Sequence, residues 1–243
     1  SNLDNLGNVL IRSDLNVPIK NGEITDNFRI LKSVEIVETI FDKSKTITFI
    51  SHMGRPKGKD LNLSLRPVAE SMSNILGKEV HFIEQVFGEK VDEQIEKSES
   101  KIFLLENLRF EKGEIGNDNN FSKKITKPFN SYIFDAFGAA HREHASVVSF
   151  GENLDSFQGP LMDKEIQELD KLLNNSKSGY VVLLGGAKIS DKLNLIEKLL
   201  PKVESLMIGG GMCFTLLKAL GHEIGKSLLE ESFISKAEDL LNS

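Results

Sequence analysis

Every arginine of this 243-residue chain, Arg12, Arg29, Arg55, Arg66, Arg109 and Arg142, lies within its first 142 residues. Beyond that point positive charge is carried by lysine, with His144 and His222 as the remaining basic side chains. Arg29, Arg55, Arg109 and Arg142 sit in segments marked by glycine, proline or asparagine: SDLNVP onward to Arg29, SHMGRPKG, ENLRF and GAAHREH. A guanidinium grips carboxylate and phosphate through two parallel hydrogen bonds, which an ammonium cannot do. Arginines placed on several separate loops therefore point to a pocket for a small, multiply charged anion. Arg12, within an apolar run, and Arg66, just before a proline-started helix, read as structural.

Short apolar runs rich in β-branched residues must carry those loops. Strands are expected at 8–13, 46–50, 79–83, 101–105 and 130–134, and later at 180–184 and 204–208. Between them fall helical stripes: Ile30, Val34, Val37 and Phe41, a helix from near Pro67, and helices at 161–174, 190–200, 212–220 and 230–242. Alternating strands and helices predict parallel βαβ units and an α/β fold. Ligands of such sheets collect at the carboxyl ends of the strands. Asp14 and Asn16 follow the first strand, and His52 and Arg55 the second. Glu106, Asn107 and Arg109 follow the fourth, and Asp135, His141 and Arg142 the fifth. Each such residue alone is as well explained by a turn or a cap; four loops bearing them at one sheet edge favour a site.

Other features weigh less. His141 and His144 have HxxH spacing, but no third ligand accompanies them, so no metal site is expected in the chain's own residues. His81 in a strand and His222 after a helix read as ordinary, and Cys213 as a small buried apolar residue. In GGAKISDK (185–192), Gly185 and Gly186 open the backbone to a ligand before a helix amino terminus. Lys188 and Lys192, four apart, are expected on one helical face within reach of phosphate. Gly209, Gly210 and Gly211 form a second cluster, suited to a flat base lying on bare backbone. Neither this loop nor GRPKGKD is a Walker A motif.

Bulk properties bound the class. A formal charge of −6 argues against nucleic acid as a partner. A single cysteine excludes an internal disulfide framework and fits a reducing compartment. No apolar run approaches membrane-spanning length, and SNLDNLG carries no signal-like pattern, so a cytoplasmic protein without membrane association is expected. The break LDSFQGPLMDKE through NNSKSG divides the chain into a lobe at 1–155, an interdomain helix and linker at 156–178, and a lobe at 179–243. Five strands make a complete first sheet; two strands with three helices make a thin second core. The chain ends at LLNS, after an amphipathic helix that should lead into another strand. The second lobe is therefore expected to be cut short, with an unfinished edge that favours association.

Taken together, RSDLNVP with ITDNFRI, SHMGRPKG, SLRPVAE, ENLRF, DAFGAAHREHAS, LLGGAKISDK and IGGGMCFTLLKALG resemble, in order and spacing, the phosphoglycerate kinase family from about residue 7 onward. The resemblance implies two Rossmann-like parallel-sheet lobes joined by a hinge, the second truncated here. It implies a 3-phosphoglycerate pocket of Asp14, Asn16, Arg29, His52, Arg55, Arg109 and Arg142. Arg29 resembles the arginine that stabilises the transferring phosphoryl group. Lys188 and Lys192 look like the nucleotide-phosphate lysines, and Gly185, Gly186, Gly210 and Gly211 like the nucleotide cradle. Mg-ATP or Mg-ADP is implied, with magnesium held through the nucleotide, and the full-length family member is expected to be a monomer. Ser13 replaces a branched apolar residue, and Ala139 stands where a hydroxyl is frequent. The later GGGD[ST] loop and an acidic residue associated with nucleotide–magnesium binding have no counterpart.

The implied reaction is reversible phosphoryl transfer between 1,3-bisphosphoglycerate and ADP. With ATP as donor the nucleophile is the substrate's own carboxylate, ionised at neutral pH, so the chemistry needs alignment and charge neutralisation rather than a general base. A chain with an incomplete second lobe should bind the acid better than it turns over. The alternative is a phosphorylated-acid binding module without transferase activity. An NAD-dependent oxidoreductase is disfavoured, since no GxGxxG follows the first strand.

Overall fold

A computed structural model describes residues 5–20, 22–174 and 179–242 of the chain. The strands are β1 (Gly7–Ser13), β2 (Ile19–Lys20), β3 (Glu23–Ile24), β4 (Ser44–Ile50), β5 (Val80–Ile83), β6 (Ile102–Leu105), β7 (Ser131–Asp135), β8 (Asp155–Gln158), β9 (Val181–Gly185) and β10 (Ser205–Gly209). The helices are α1 (Phe28–Ile40), α2 (Arg66–Leu76), α3 (Glu89–Lys97), α4 (Lys112–Ile115), α5 (Asn119–Thr126), α6 (Phe150–Asn153), α7 (Pro160–Asn174), α8 (Leu193–Leu199), α9 (Cys213–Ala219) and α10 (Ile234–Leu241). The chain divides into two units, Ser1–Ile166 and Gln167–Ser243.

The first unit is built on one parallel six-stranded sheet of order β5-β6-β4-β1-β7-β8. Alternate residues of its central strands enter two separate cores. Val9, Ile11, Ile47, Phe49 and Leu104 pack under Ile30, Val34 and Val37 of α1 and Val68 and Met72 of α2. Leu10, Ile50, Phe103, Leu105 and Tyr132 face Val91 and Ile95 of α3, Phe121 and Ile125 of α5, and Phe150. Helices on both faces explain why β1 and β4 read as nearly continuous apolar runs rather than alternating ones. β2 and β3 form a small antiparallel ribbon ahead of α1.

The expected strands are all present within a residue or two, and the first sheet has one more. β8 pairs with β7 along Ser131↔Asp155 to Phe134↔Gln158. Its sequence, DSFQ, is mostly exposed and paired on one side only, so it lacks the apolar run by which a buried strand announces itself. The expectation of five strands in this sheet is therefore corrected to six. α3 and α5 also went unanticipated, because each buries only a few positions over two turns. The NNSKSG break at 174–179 falls mainly on residues 175–178, outside the described residues.

In the second unit β9 and β10 are parallel partners. One face of the pair packs through Leu184, Leu206 and Ile208 onto Ile189, Ile196, Met212, Leu216 and Ala237. The other face presents Val181, Leu183 and Met207, exposed to 46%, 75% and 55%.

Candidate functional site

Three loops at the carboxyl edge of the first sheet are laced together before any ligand is considered. Ser51, after β4, accepts a hydrogen bond from Leu15 N at 2.9 Å and donates to Ser13 O at 2.8 Å, tying β4 to β1. Asn107, after β6, donates to Met53 O at 2.8 Å and Leu63 O at 2.9 Å, and accepts from Met53 N and Arg109 N at 3.1 Å each. Gly54 is the meeting point. Its N–H donates to Asn16 Oδ1 at 3.0 Å, and its carbonyl accepts from Arg109 Nη1. Only glycine suits position 54: its φ is +59°, and an added Cβ would stand 2.9 Å from Leu63.

Arg29, from the first turn of α1, donates through Nη1 to Asp14 Oδ2 at 2.9 Å and to Asn16 O at 3.2 Å. Its side chain is half-exposed, so this pairing positions the guanidinium rather than consuming it. Arg29 and Asp14 border a cavity of about 210 Å³ shared with Asp135, Phe137 and Leu161. Arg55 is exposed on the β4 loop. Asp14, Asn16, Arg29, Arg55 and Arg109 thus share one edge.

His52 lies within electrostatic reach of Arg109 and Arg142. His52 is 5% exposed, and its pKa is pushed down to about 2 by burial first, then by the Arg12, Arg109 and Arg142 cations. It is a neutral ring. Arg109 is pushed down to about 10 by burial, then by Arg142 and Arg12. Buried Nε donors of both Arg109 and Arg142 have no hydrogen-bond partner among the described residues. Neighbouring cations that repel one another while retaining buried, unsatisfied donors make a surface complementary to an anion.

Arg12, expected to be structural, has a more specific setting. Fully buried at 1% exposure, it donates from Nε to Ser146 Oγ at 3.0 Å and from Nη2 to His52 Nδ1 at 3.0 Å. Ser146 donates in turn to Glu114, through Oγ at 2.7 Å and N–H at 3.0 Å. Burial favours protonation of Glu114, but the His144 ring 3.6 Å away, Arg12 and Ser146 outweigh it and hold the carboxyl below its ordinary range. Glu114 and Ser146 carried no sequence signal, since one looks like a surface helix charge and the other like a loop hydroxyl. Asp135, at the end of β7, accepts Leu161 N and Met162 N of α7 at 2.8 and 3.0 Å. Burial raises its pKa against those two donors.

In the second unit the expectations are partly corrected. α8 begins after Lys192, and Lys188 lies just ahead of the turn that precedes it, so the two do not share a helical face by i,i+4 spacing. The Ser190 amide of that turn already donates to Glu230 Oε2 at 3.1 Å, with Ser190 Oγ on Oε1 at 2.6 Å. Phosphate recognition there would rest on the lysine side chains. Glycine at 210 and 211 is required by backbone packing: added Cβ atoms would stand 2.8 Å from Gly186 O and 2.8 Å from Ala187 O. A Cβ on Gly185, by contrast, would meet open space, and one on Gly186 would meet only Met212 Sδ, at 3.4 Å. An open, lysine-bearing backbone of this kind is compatible with a nucleotide's phosphates. Cys213 is half-buried rather than buried, with Sγ donating to Gly210 O at 2.8 Å.

Fold and site together define an α/β protein whose parallel sheet carries an arginine-rich carboxyl edge. The chain belongs to the phosphoglycerate kinase family, whose family model matches residues 4–243. It is 44% identical over 235 residues to the phosphoglycerate kinase of Dictyoglomus turgidum, covering 96% of this chain and 59% of that one. It is also 44% identical over 237 residues to that of a Thermus thermophilus strain, with 96% and 60% covered. Among solved structures, phosphoglycerate kinase from Coxiella burnetii matches all of this chain and 61% of its own, with a TM-score of 0.85 and 35% identity. That from Pyrococcus horikoshii gives a TM-score of 0.81 at 29% identity, covering 64% of its length. The chain thus spans about 60% of the length of the relatives it matches.

Proposed function

We propose that the first unit is the 3-phosphoglycerate-binding part of an enzyme that transfers a phosphoryl group between 1,3-bisphosphoglycerate and ADP. The observation that carries this reading is the pair Arg109 and Arg142, each with a buried Nε that has no partner among the described residues, beside a neutral His52. Asp14 and Asn16 hold Arg29 and Gly54 in place, and Asp14 itself is an acceptor suited to a substrate hydroxyl. Arg55, Arg109, Arg142 and His52 serve the phosphate and carboxylate as donors. Arg29, half-exposed and tethered through one nitrogen, retains donors for a phosphoryl group in transfer.

No residue of the site needs to take a proton from the acid, because a carboxylate nucleophile is already ionised at neutral pH. Lys188 and Lys192, with Gly185, Gly186, Gly210 and Gly211, make up the part of the nucleotide lobe within 179–243. Magnesium carried on the nucleotide would neutralise charge on its phosphates when bound. Family membership favours a cytoplasmic setting, and no described helix is long and apolar enough to cross a membrane. Since the chain spans about 60% of its relatives' length, the second reading is acid binding by this chain without turnover.

Calorimetric titration with 3-phosphoglycerate tests the proposal. Saturable binding that weakens tenfold or more in Arg29→Ala supports the acid pocket, where loss of a charge-assisted contact costs roughly that much. A folded chain that binds no 3-phosphoglycerate overturns it, and turnover assays with ATP on the same sample separate the two readings.

A further inference from the structure

We propose that Arg12 is a positioning residue of the anion pocket: anchored to Glu114 through Ser146, it locks His52 as the neutral tautomer with its proton on Nε2. The geometry leaves little freedom. A guanidinium has donors only, so the 3.0 Å contact from Arg12 Nη2 requires a bare, accepting Nδ1 on His52. A neutral imidazole with a bare Nδ1 carries its single proton on Nε2. The second half of the relay is directed in the same way. Ser146 Oγ lies 3.0 Å from Arg12 Nε, which can only donate, and 2.7 Å from Glu114 Oε1, which as a carboxylate can only accept. One hydroxyl proton satisfies both contacts in one orientation.

The anchor is rigid. Ser146 also donates its N–H to Glu114 Oε2 at 3.0 Å, and its carbonyl accepts the Tyr132 hydroxyl from β7. The neighbouring Ala145 N donates to Glu114 O at 2.8 Å, so the loop that bears Arg142 is fixed by the same carboxylate residue. Glu114 is fully buried and its carboxyl is held below its ordinary range, so it supplies the negative charge that a buried Arg12 needs. Charged and titratable groups reach His52 from every loop packed around it. These are Arg12 on β1, Arg109 after β6, Arg142 and His144 after β7, and Glu114 on α4 at one remove.

The consequence is functional. His52 Nε2 makes no hydrogen bond among the described residues, and in this tautomer it is a donor. The pocket thereby gains a hydrogen bond for an anion without gaining another cation beside Arg109 and Arg142. A free imidazole would titrate between about pH 5 and 8 and would populate both tautomers. Burial first, and the surrounding cations after it, keep the ring from titrating, and Arg12 fixes its tautomer. The identity of the ligand served by Nε2–H rests on the function proposed above; the tautomer does not.

Nitrogen-15 imidazole spectra of this chain, recorded without ligand from about pH 5 to 8, test the tautomer directly. The expected pattern is a bare Nδ1 and a protonated Nε2 on His52, unchanged across the range. A protonated Nδ1, or titration of His52 within that range, overturns the proposal. In Arg12→Met the His52 signals should mix tautomers, while burial, Arg109 and Arg142 keep the ring neutral. Its 3-phosphoglycerate affinity should then fall about tenfold at pH 8 and by a similar factor at pH 6, because the ring stays neutral at both. Ionisation of the ligand is common to both proteins and cancels in the ratio. An unchanged His52 pattern in a folded Arg12→Met overturns the assignment and makes Arg12 structural only. Should Arg12→Met not fold, Ser146→Ala decides: it keeps the guanidinium but frees it from Glu114, and mixed tautomers are expected. If neither protein binds 3-phosphoglycerate while the Nε2–H pattern is present, Arg12 keeps its role and only the ligand reading fails.

Discussion

The Asn107 side chain and the Met53 backbone exchange two hydrogen bonds, Nδ2 to Met53 O at 2.8 Å and Met53 N to Oδ1 at 3.1 Å. This amide pairing ties together the loops after β4 and β6, which carry His52, Arg55 and Arg109. Removing it strands the Met53 N–H and C=O in a buried position. Asn107→Ala should cost the first unit about 3 kcal/mol or more and abolish the exchange protection of the Met53 amide. Denaturant midpoints with hydrogen exchange at Met53 check this; protection retained in the variant would sink it.

The neutral His52 makes a signed prediction about pH. Its folded-state pKa is depressed from 6.5 to about 2, so below 6.5 the unfolded chain binds the extra proton and the folded chain does not. Its contribution is complete above pH 6.5 and is lost as pH falls. The loss should be about 2 kcal/mol between pH 7 and pH 5. His52→Gln removes the titration, so unfolding free energies of the variant should be flatter over that interval. Parallel pH profiles for the two proteins would contradict the assignment.

Asp135 titrates with the opposite sign. Burial raises its folded-state pKa, so its contribution is present at low pH and is lost as pH rises through that value. Asp135→Asn keeps an oxygen acceptor for Leu161 N and Met162 N while removing the charge. The variant should gain stability relative to the parent at pH 7 and lose that advantage near pH 4. Differential unfolding at the two values measures it.

Gly159 offers a steric test of the same contact. A Cβ at this position would lie 2.3 Å from Asp135 Cγ, so Gly159→Ala must displace either the carboxylate or the start of α7. A loss of about 1–3 kcal/mol is expected, in the range of overpacked cores. A thermal midpoint within error of the parent would contradict it.

The bare face of β9 and β10 predicts a contrast between two leucine-sized positions. Leu183 is 75% exposed and Ile196 is fully buried. Leu183→Lys should change stability by no more than about 0.5 kcal/mol and reduce self-association in light scattering. Ile196→Ala should cost the second unit about 2–5 kcal/mol. Unchanged association of Leu183→Lys would show that this face is not adhesive.

What could be read from the sequence was whatever depends on near neighbours. Apolar runs such as TITFI and KIFLL marked β4 and β6, and the alternation of strands and helices implied a parallel sheet. Loop residues after β1, β4, β6 and β7 were gathered at one edge by that rule alone, Arg109 and Arg142 among them. What the sequence could not decide depends on partners far along the chain. β8 became a strand because β7 offered it an open edge, not because DSFQ favours one. Lys188 and Lys192 lost their shared face because α8 starts only at Leu193, after both of them. Gly210 and Gly211 proved to be packing glycines once Gly186 and Ala187 were seen against them. Arg12 meets Ser146 across 134 positions, and through it Glu114, a buried charge arrangement with no periodicity or motif to announce it. Local pattern selects which residues reach the sheet edge; only the tertiary structure, by burying them together, determines which are charged, which are neutral and which way their donors point.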